Sequence, residues 1–457
     1  MAAKAQMIAG VRRDRIEAFR AHQLATYTAA HPKSAKAQDA AAGAWLGGVP
    51  MHWMRDWPMP FPMLVDQAKG ARLTCIDGHR VDDFCLGDTG SMFGHSPAPV
   101  AKAIRAQARR GLTYMLPTEA AMQAGQLLSR TFGAFQWQIT TTASDANRFA
   151  LRVARAVTGR PKVLVFNGCY HGAVDDTMVT LAQGRTTNRP GLLGQVTNLS
   201  LLAVCCEFND LAAVAKALAK GDVAAILTEP VMTNSCMVLP EPGFHEGLRA
   251  LATEYGALLM LDETHTISSG PGGYTRACGL EPDIFVVGKC VAGGMPTAVW
   301  GMTDAVAARY HKADAARPAG HSGMGTTLSA NPMQFACLVA TLSEVMTDQA
   351  YAHMESGAAR LERGLQRVIA KRRAAWHVVR VGARVEFICA PGPLLNGTAA
   401  ARAHQPALEA AIHLGLLNCG SLIAPFHNMM LVSPATTKPQ IDRLIAAFAD
   451  VTKTLFA

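Results

Sequence analysis

A chain of 457 residues exceeds what one hydrophobic core usually supports, so two lobes sharing a seam are expected. Half of the residues are apolar and 17% are charged, a balance that excludes a disordered chain. The formal net charge of +9 is scattered, with no basic block interleaved with aromatics and no run of eighteen apolar residues, which argues against a nucleic-acid partner and against a membrane span.

The first eleven residues carry Lys4 but no apolar run of signal-peptide length, so a cytoplasmic protein is expected. The eleven cysteines lack zinc-type Cys-x-x-Cys spacing. Cys75, Cys169, Cys290 and Cys389 fall in apolar segments and read as buried thiols, with no metal implied.

Residues 13–31 have the spacing of an amphipathic helix, and 40–62, rich in Gly, Pro, Trp and Met, reads as an irregular arm. Within that arm, Trp53, Arg55 and Trp57 suit an organic acid with an apolar body, which makes Trp53 and Arg55 candidate substrate contacts. The plainer alternative pairs Arg55 with Asp56 or Asp88 at the surface. Residues 72–85 alternate around Asp77-Gly78, the mark of a tight hairpin.

From residue 98 helical stretches (100–110, 148–157) alternate with short apolar runs at 162–166, 223–228, 257–261 and 284–287. This pattern predicts an α/β lobe with a mostly parallel sheet and ligands at the carboxyl ends of its strands. After Asn331-Pro332 a long interrupted helix is expected over 333–346 and 351–373, its basic end at Lys371-Arg372-Arg373 favoured by the helix dipole. A strand-like stretch at 378–389 and a closing helix near 440–455 follow. The resulting division is residues 1–97 as arm and part of a small α+β domain, 98–332 as the large domain, and 333–457 as the rest of the small domain.

Two strands end on chemistry. The run at 257–261 delivers Asp262, and the run at 284–287 delivers Gly288-Lys289. A lysine directly after a buried strand is costly unless it is paired, neutral or covalently used, and a desolvated amine suits Schiff-base chemistry. Pyridoxal 5'-phosphate (PLP) needs such a lysine, a carboxylate for its ring nitrogen, a phosphate cup and a ring-stacking group. Lys289 and Asp262 supply the first two. Thr141 to Ala146, including Ala143 and Ser144, lie at a strand-to-helix junction where free N–H groups favour phosphate; the plainer reading of Ser144 is an N-cap. Tyr170, in Tyr170-His171-Gly172 after the 162–166 strand, offers an aromatic ring.

These motifs, with Gly87-Asp88, Phe93-Gly94-His95-Ser96, Glu229-Pro230-Val231 and Thr326 to Pro332, resemble those of class III aminotransferases among the fold-type I PLP enzymes. The likeness is greatest to the branch of glutamate-1-semialdehyde aminomutase and the β-amino-acid transaminases. The resemblance implies that Lys289 forms the Schiff base, that Asp262 pairs with the ring nitrogen, and that Glu229 and Thr264 lie beside the cofactor. It also implies that Thr327 reaches the phosphate of a neighbouring subunit, giving a homodimer or a higher even oligomer with shared sites. Two departures stand out. The usual Ser-Gly-Thr-Glu-Ala loop is here Thr142-Ala143-Ser144-Asp145-Ala146, and the usual Asp-Glu-Val is Asp262-Glu263-Thr264 followed by His265, either a hydrogen-bond partner behind the cofactor or a loop residue. Asn234 and His427 are further candidates for the substrate pocket.

The activity expected first is a transaminase that moves an amino group from a small-molecule donor to an oxo acceptor by a ping-pong mechanism. An intramolecular aminomutase or a racemase would use the same residues on one substrate. Two other classes compete. A nucleotide-binding dehydrogenase lacks its Gly-x-Gly-x-x-Gly signature here, and a silent binding protein of the same fold would not need both Lys289 and Asp262. Residues 308–327, with glycines at 320, 323 and 325, are a candidate lid.

Overall fold

The apolar runs become the buried strands of one sheet in the computed structural model, which describes residues 6–41 and 43–457; Lys4 lies outside them. Contacts divide the chain into a larger unit, Pro97–Tyr351 with Leu394–Arg402, and a smaller one made of the residues up to Ser96, Ala352–Pro393 and Ala403–Ala457.

In the larger unit seven strands, Gln136–Thr140 (β1), Lys162–Phe166 (β2), Ala203–Cys206 (β3), Val223–Thr228 (β4), Leu258–Asp262 (β5), Ile284–Val287 (β6) and Ala298–Met302 (β7), form a sheet in the order β3-β2-β4-β5-β6-β7-β1. Pairing is parallel from β3 through to β6, and β7 alone runs against its neighbours. Every residue of β4, β5 and β6 is buried, which is why these strands are continuous apolar runs rather than alternating ones. Helix Ala143–Thr158 turns Ala146, Phe149, Ala150, Val153 and Ala154 into the same core as Val163, Val165, Leu227, Met260 and Val286. At roughly 25 cal/mol per Å² of apolar surface buried, such a face is what holds the helix to the sheet.

The helix after Asn331 belongs to this larger unit, whereas the sequence reading began the small domain there. Helix Pro332–Ala340 is tied to the sheet side by Gln334, whose Nε2 donates to the carbonyls of Thr140 (2.9 Å) and Pro296 (3.0 Å). Leu394–Arg402 returns to the same unit because Gly397 lies against the Asn167 carbonyl, so closely that a Cβ there would be 1.8 Å from it. The candidate lid is helical over its first part, within helix Asp304–Ala316.

In the smaller unit the strands Arg72–Cys75 and Arg80–Asp83 pair antiparallel about Gly78, whose φ of +91° needs a glycine. Ser421–Leu422 adds to Arg80–Asp83 in parallel, and a second sheet joins His377–Val381, Arg384–Ile388 and Met429–Leu431. Helices Arg13–Ala30, Pro32–Ala40, Pro406–Asn418 and Lys438–Phe456 belong to this unit, as does Asp348–Arg372 from Ala352 onward, close to the 351–373 helix expected from the sequence. Cys75, Cys169, Cys290 and Cys389 are buried, as expected from their apolar segments. Among the described residues no helix is long and apolar enough to cross a membrane.

Candidate active site

Five loops leave the carboxyl ends of parallel strands in the larger unit, after β1, β2, β4, β5 and β6. They carry Ala143 and Ser144, Tyr170 and His171, Glu229 to Asn234, Asp262 to His265, and Lys289 respectively. A crevice at this sheet edge is where open α/β folds bind ligands.

Asp262 ends β5 and is 4% exposed. Its Oδ2 accepts hydrogen bonds from Asn147 Nδ2 (2.9 Å) and His171 Nδ1 (3.0 Å), and its Oδ1 from the Thr264 amide (3.1 Å). Burial opposes the charge, but His171, Thr264 and Asn147 outweigh it and hold the carboxyl below its ordinary value. For His171 burial again works against charge, while Cys169 and Asp262 push the imidazole up to about 10. Asp262 is therefore a fixed anion at neutral pH.

Thr142 caps helix Ala143–Thr158 by accepting from the Asp145 amide at 3.2 Å. Ser144 is thus not the N-cap, as the plainer sequence reading had it, because the helix begins one residue before it. Its hydroxyl instead accepts from the Ala173 amide at 2.9 Å. The first-turn N–H groups of this helix have no acceptor within it and present positive potential to an anion. Two glycines let neighbouring loops close on this helix start. A Cβ on Gly172, at φ +83°, would lie 2.2 Å from Ser144 Oγ, and one on Gly288 would lie 3.0 Å from Ala143 Cβ.

Lys289 follows β6 with φ +50°, a left-handed conformation that costs a non-glycine residue roughly 1 kcal/mol or more and gathers at functional sites. Its Nζ contacts Nε2 of His265. On the far side of that ring, Nδ1 is 2.6 Å from Thr233 Oγ1, and the Thr233 hydroxyl donates to Glu229. Asn234 Nδ2 lies 3.4 Å from the same His265 nitrogen and 3.5 Å from Glu229 Oε1. Burial raises the Glu229 pKa, against the opposing pull of His171 and Thr233. His265 is therefore in contact with the lysine itself.

Of the residues singled out in the sequence, Ala143, Ser144, Asp262, Thr264, Glu229, Asn234 and Lys289 come to this one sheet edge. Tyr170 reaches it 47% exposed, and it is its neighbour His171 that binds Asp262. Thr327 is exposed. Trp53, Arg55 and His427 belong to the smaller unit. There Trp53, Trp45 and Trp57 line an apolar groove of about 470 Å³, Arg55 is exposed beside Gly47, and His427 is buried 3.7 Å from Glu386. Asn147, Thr233 and the role of His171 escaped the sequence reading. The one available signal for Asn147 was an amide on the apolar face of its helix.

Three buried polar atoms around Asp262 have no hydrogen-bond partner among the described residues: Asn147 Oδ1, His171 Nε2 and Thr264 Oγ1. Buried polar groups are normally satisfied. A polar ligand edge beside Asp262, with an anion at the glycine-flanked helix start, accounts for such a cluster, so the residues fit PLP.

Sheet, lysine, carboxylate and helix start together define a fold-type I PLP-dependent enzyme. The chain belongs to the family Aminotransferase class-III, whose profile matches residues 54–451. It is 33% identical over 403 residues to a glutamate-1-semialdehyde 2,1-aminomutase of Roseiflexus castenholzii, covering 86% of this chain and 91% of that one. The protein of the same name from Desulfitobacterium hafniense is 31% identical over the same coverage. Among solved structures, a glutamate-1-semialdehyde-aminomutase from Pseudomonas aeruginosa PAO1 superimposes with a TM-score of 0.96 at 47% identity, over 98% of this chain and 100% of that one. A β-phenylalanine aminotransferase from Variovorax paradoxus gives a TM-score of 0.84 at 25% identity, over 95% and 97%.

Proposed function

We propose that this enzyme is an aminomutase that shifts an amino group between neighbouring carbons of one small amino-carbonyl acid, of the glutamate-1-semialdehyde class. The sequence reading placed a transaminase first and an aminomutase second, and the relatives favour the reverse order. The observation that carries the proposal is the near full-length likeness, at 47% identity, to the Pseudomonas aminomutase.

In this reading PLP, when bound, supplies a protonated ring that withdraws electrons from the carbon bearing nitrogen. Lys289 holds the cofactor covalently and carries the proton between substrate carbon and cofactor. Asp262 keeps the ring nitrogen protonated, with His171 and Asn147 fixing its carboxylate. Ala143 and Ser144 at the helix start hold the phosphate, Tyr170 and Thr264 flank the ring, and Asn234 faces the substrate. The overall change is an isomerisation: one C–N bond breaks, another forms on the adjacent carbon, and the carbonyl oxygen moves the other way with no net oxidant.

Substrate labelled with ¹⁵N, supplied together with an excess of unlabelled amino donors, tests this. An aminomutase returns an isomer that keeps its label. Loss of label, with one oxo product released per site and the cofactor left in its aminated form, would restore the transaminase.

The quaternary part of the proposal is a cytoplasmic homodimer in which Thr327 completes the partner's phosphate site. Mixing inactive Lys289→Ala and weakened Thr327→Ala proteins should restore activity towards about a quarter of wild type per site, the share that a random hybrid with one intact site provides. No recovery after verified subunit exchange would refute the shared site.

A further inference from the structure

We infer that His265 is a positioning residue that, with Thr233, joins the Lys289 amine to the buried Glu229 carboxyl in one proton relay. The inference rests on Lys289 being the covalent lysine, and it concerns a histidine and a threonine that the proposed function leaves unused.

The line is continuous. Lys289 Nζ contacts His265 Nε2, His265 Nδ1 lies 2.6 Å from Thr233 Oγ1, and the Thr233 hydroxyl donates to Glu229 Oε2. A neutral imidazole serves both the lysine and the threonine in one tautomer: Nδ1–H donates to the threonine oxygen, and Nε2 accepts from the lysine, while Asn234 Nδ2, a donor 3.4 Å from Nδ1, is then left to Glu229. A proton passing from Nζ to Nε2 is matched by the Nδ1 proton passing to Thr233 and by the hydroxyl proton passing to Glu229. Each link gains one proton and loses one. The result is a deprotonated nitrogen at Lys289 and a protonated Glu229, with no electron transferred.

Glu229 is suited to end the line. It is 5% exposed, so burial favours its protonated form, and the Thr233 amide at 3.2 Å fixes its Oε2. The other titratable groups on the surrounding elements are engaged elsewhere. Asp262 is held by His171 and Asn147, Glu263 by Thr266, Thr275 and the Tyr274 amide, and His245 donates to the Pro230 carbonyl. Glu229 is thus the carboxyl in line with His265. The three residues sit after two different strands, so the line is a product of the sheet edge rather than of one loop.

Its function is to set and reset the protonation of the lysine nitrogen without water entering the site. The test uses the holoenzyme without substrate and follows the visible absorption of the bound cofactor against pH in wild type, His265→Gln, Thr233→Val and Glu229→Gln. Thr233→Val keeps shape and charge but removes the hydroxyl link. The absorption midpoint is expected to fall by about one pH unit in each variant, a tenfold loss of proton affinity, while borohydride still tags Lys289. A role confined to packing would leave the midpoint in place. Midpoints within about 0.2 pH unit of wild type in the variants that retain cofactor, with the tag unchanged, overturn the relay. Should one variant fail to hold cofactor, the other two decide. A tag on another lysine removes the reading beneath it, an outcome distinct from unmoved midpoints.

Discussion

Lys289→Ala is expected to lower turnover by at least about a thousandfold, because in the proposed reaction the substitution removes both the covalent anchor and the group that moves the substrate proton. The loss should appear in kcat, since a group acting at the chemical step lowers kcat rather than only raising KM. Folding should survive. Alanine inherits the φ of +50° and fills no new space, so the unfolding temperature should change little. Cofactor should remain bound, held by Asp262 and the helix start, but should leave on dialysis faster than from wild type. Retention of more than a tenth of wild-type kcat would mean that another amine carries the chemistry.

Asp262→Asn should have the second largest effect, a loss of about 10²- to 10⁴-fold in turnover, the range typical of removing a positioned charge from a buried site. It should also change how stability follows pH. His171 has its pKa raised in the folded protein, so its pairing contributes fully below the ordinary value of 6.5 and is lost as pH rises through about 10. Asp262 is shifted the other way, contributing above its ordinary 3.8 and losing that contribution as pH falls through its depressed value. The unfolding temperature of wild type should therefore be highest between those two ordinary values and decline on both sides. In Asp262→Asn the decline on the alkaline side should flatten, because His171 loses the carboxylate that raises it. Thermal unfolding of both proteins over this range, followed by circular dichroism, checks the sign. An unchanged alkaline slope would mean that the pair is not coupled.

How far the sequence carried this reading depends on burial. β2, β4, β5 and β6 were legible because a strand covered on both faces is an unbroken apolar run, and Asp262 and Lys289 stand within two residues of their ends. β3 and β7 were not, and β1 entered only as the strand, without bounds, that precedes the junction at Thr141. Gln136–Thr140 is an edge strand with an alternating, partly polar pattern, and Ala203–Cys206 and Ala298–Met302 are built from alanine, cysteine and glycine as much as from β-branched residues. The position of helix Pro332–Ala340 was hidden for another reason. It is decided by Gln334 reaching the carbonyls of Thr140, at the end of β1, and of Pro296, which no local periodicity encodes.

The site divides in the same way. Lys289, Asp262 and the helix start could be read because each sits at the end of a recognisable element. Asn147 meets Asp262 across 115 residues of sequence and Thr233 meets His265 across 32, so their chemistry exists only once the sheet is assembled. Two of the departures from the usual family pattern, Thr264 and His265, lie at this edge, one as an unsatisfied buried hydroxyl and the other against the lysine.

The most direct test of the central claim is borohydride reduction of the native holoenzyme followed by peptide mapping. Reduction makes the bond between lysine and cofactor permanent, and the mass of the labelled peptide identifies the residue. The account predicts one cofactor per chain, attached to the peptide that contains Gly288-Lys289-Cys290. Attachment to any other lysine, or no attachment in protein that carries the cofactor's visible absorption, would contradict it.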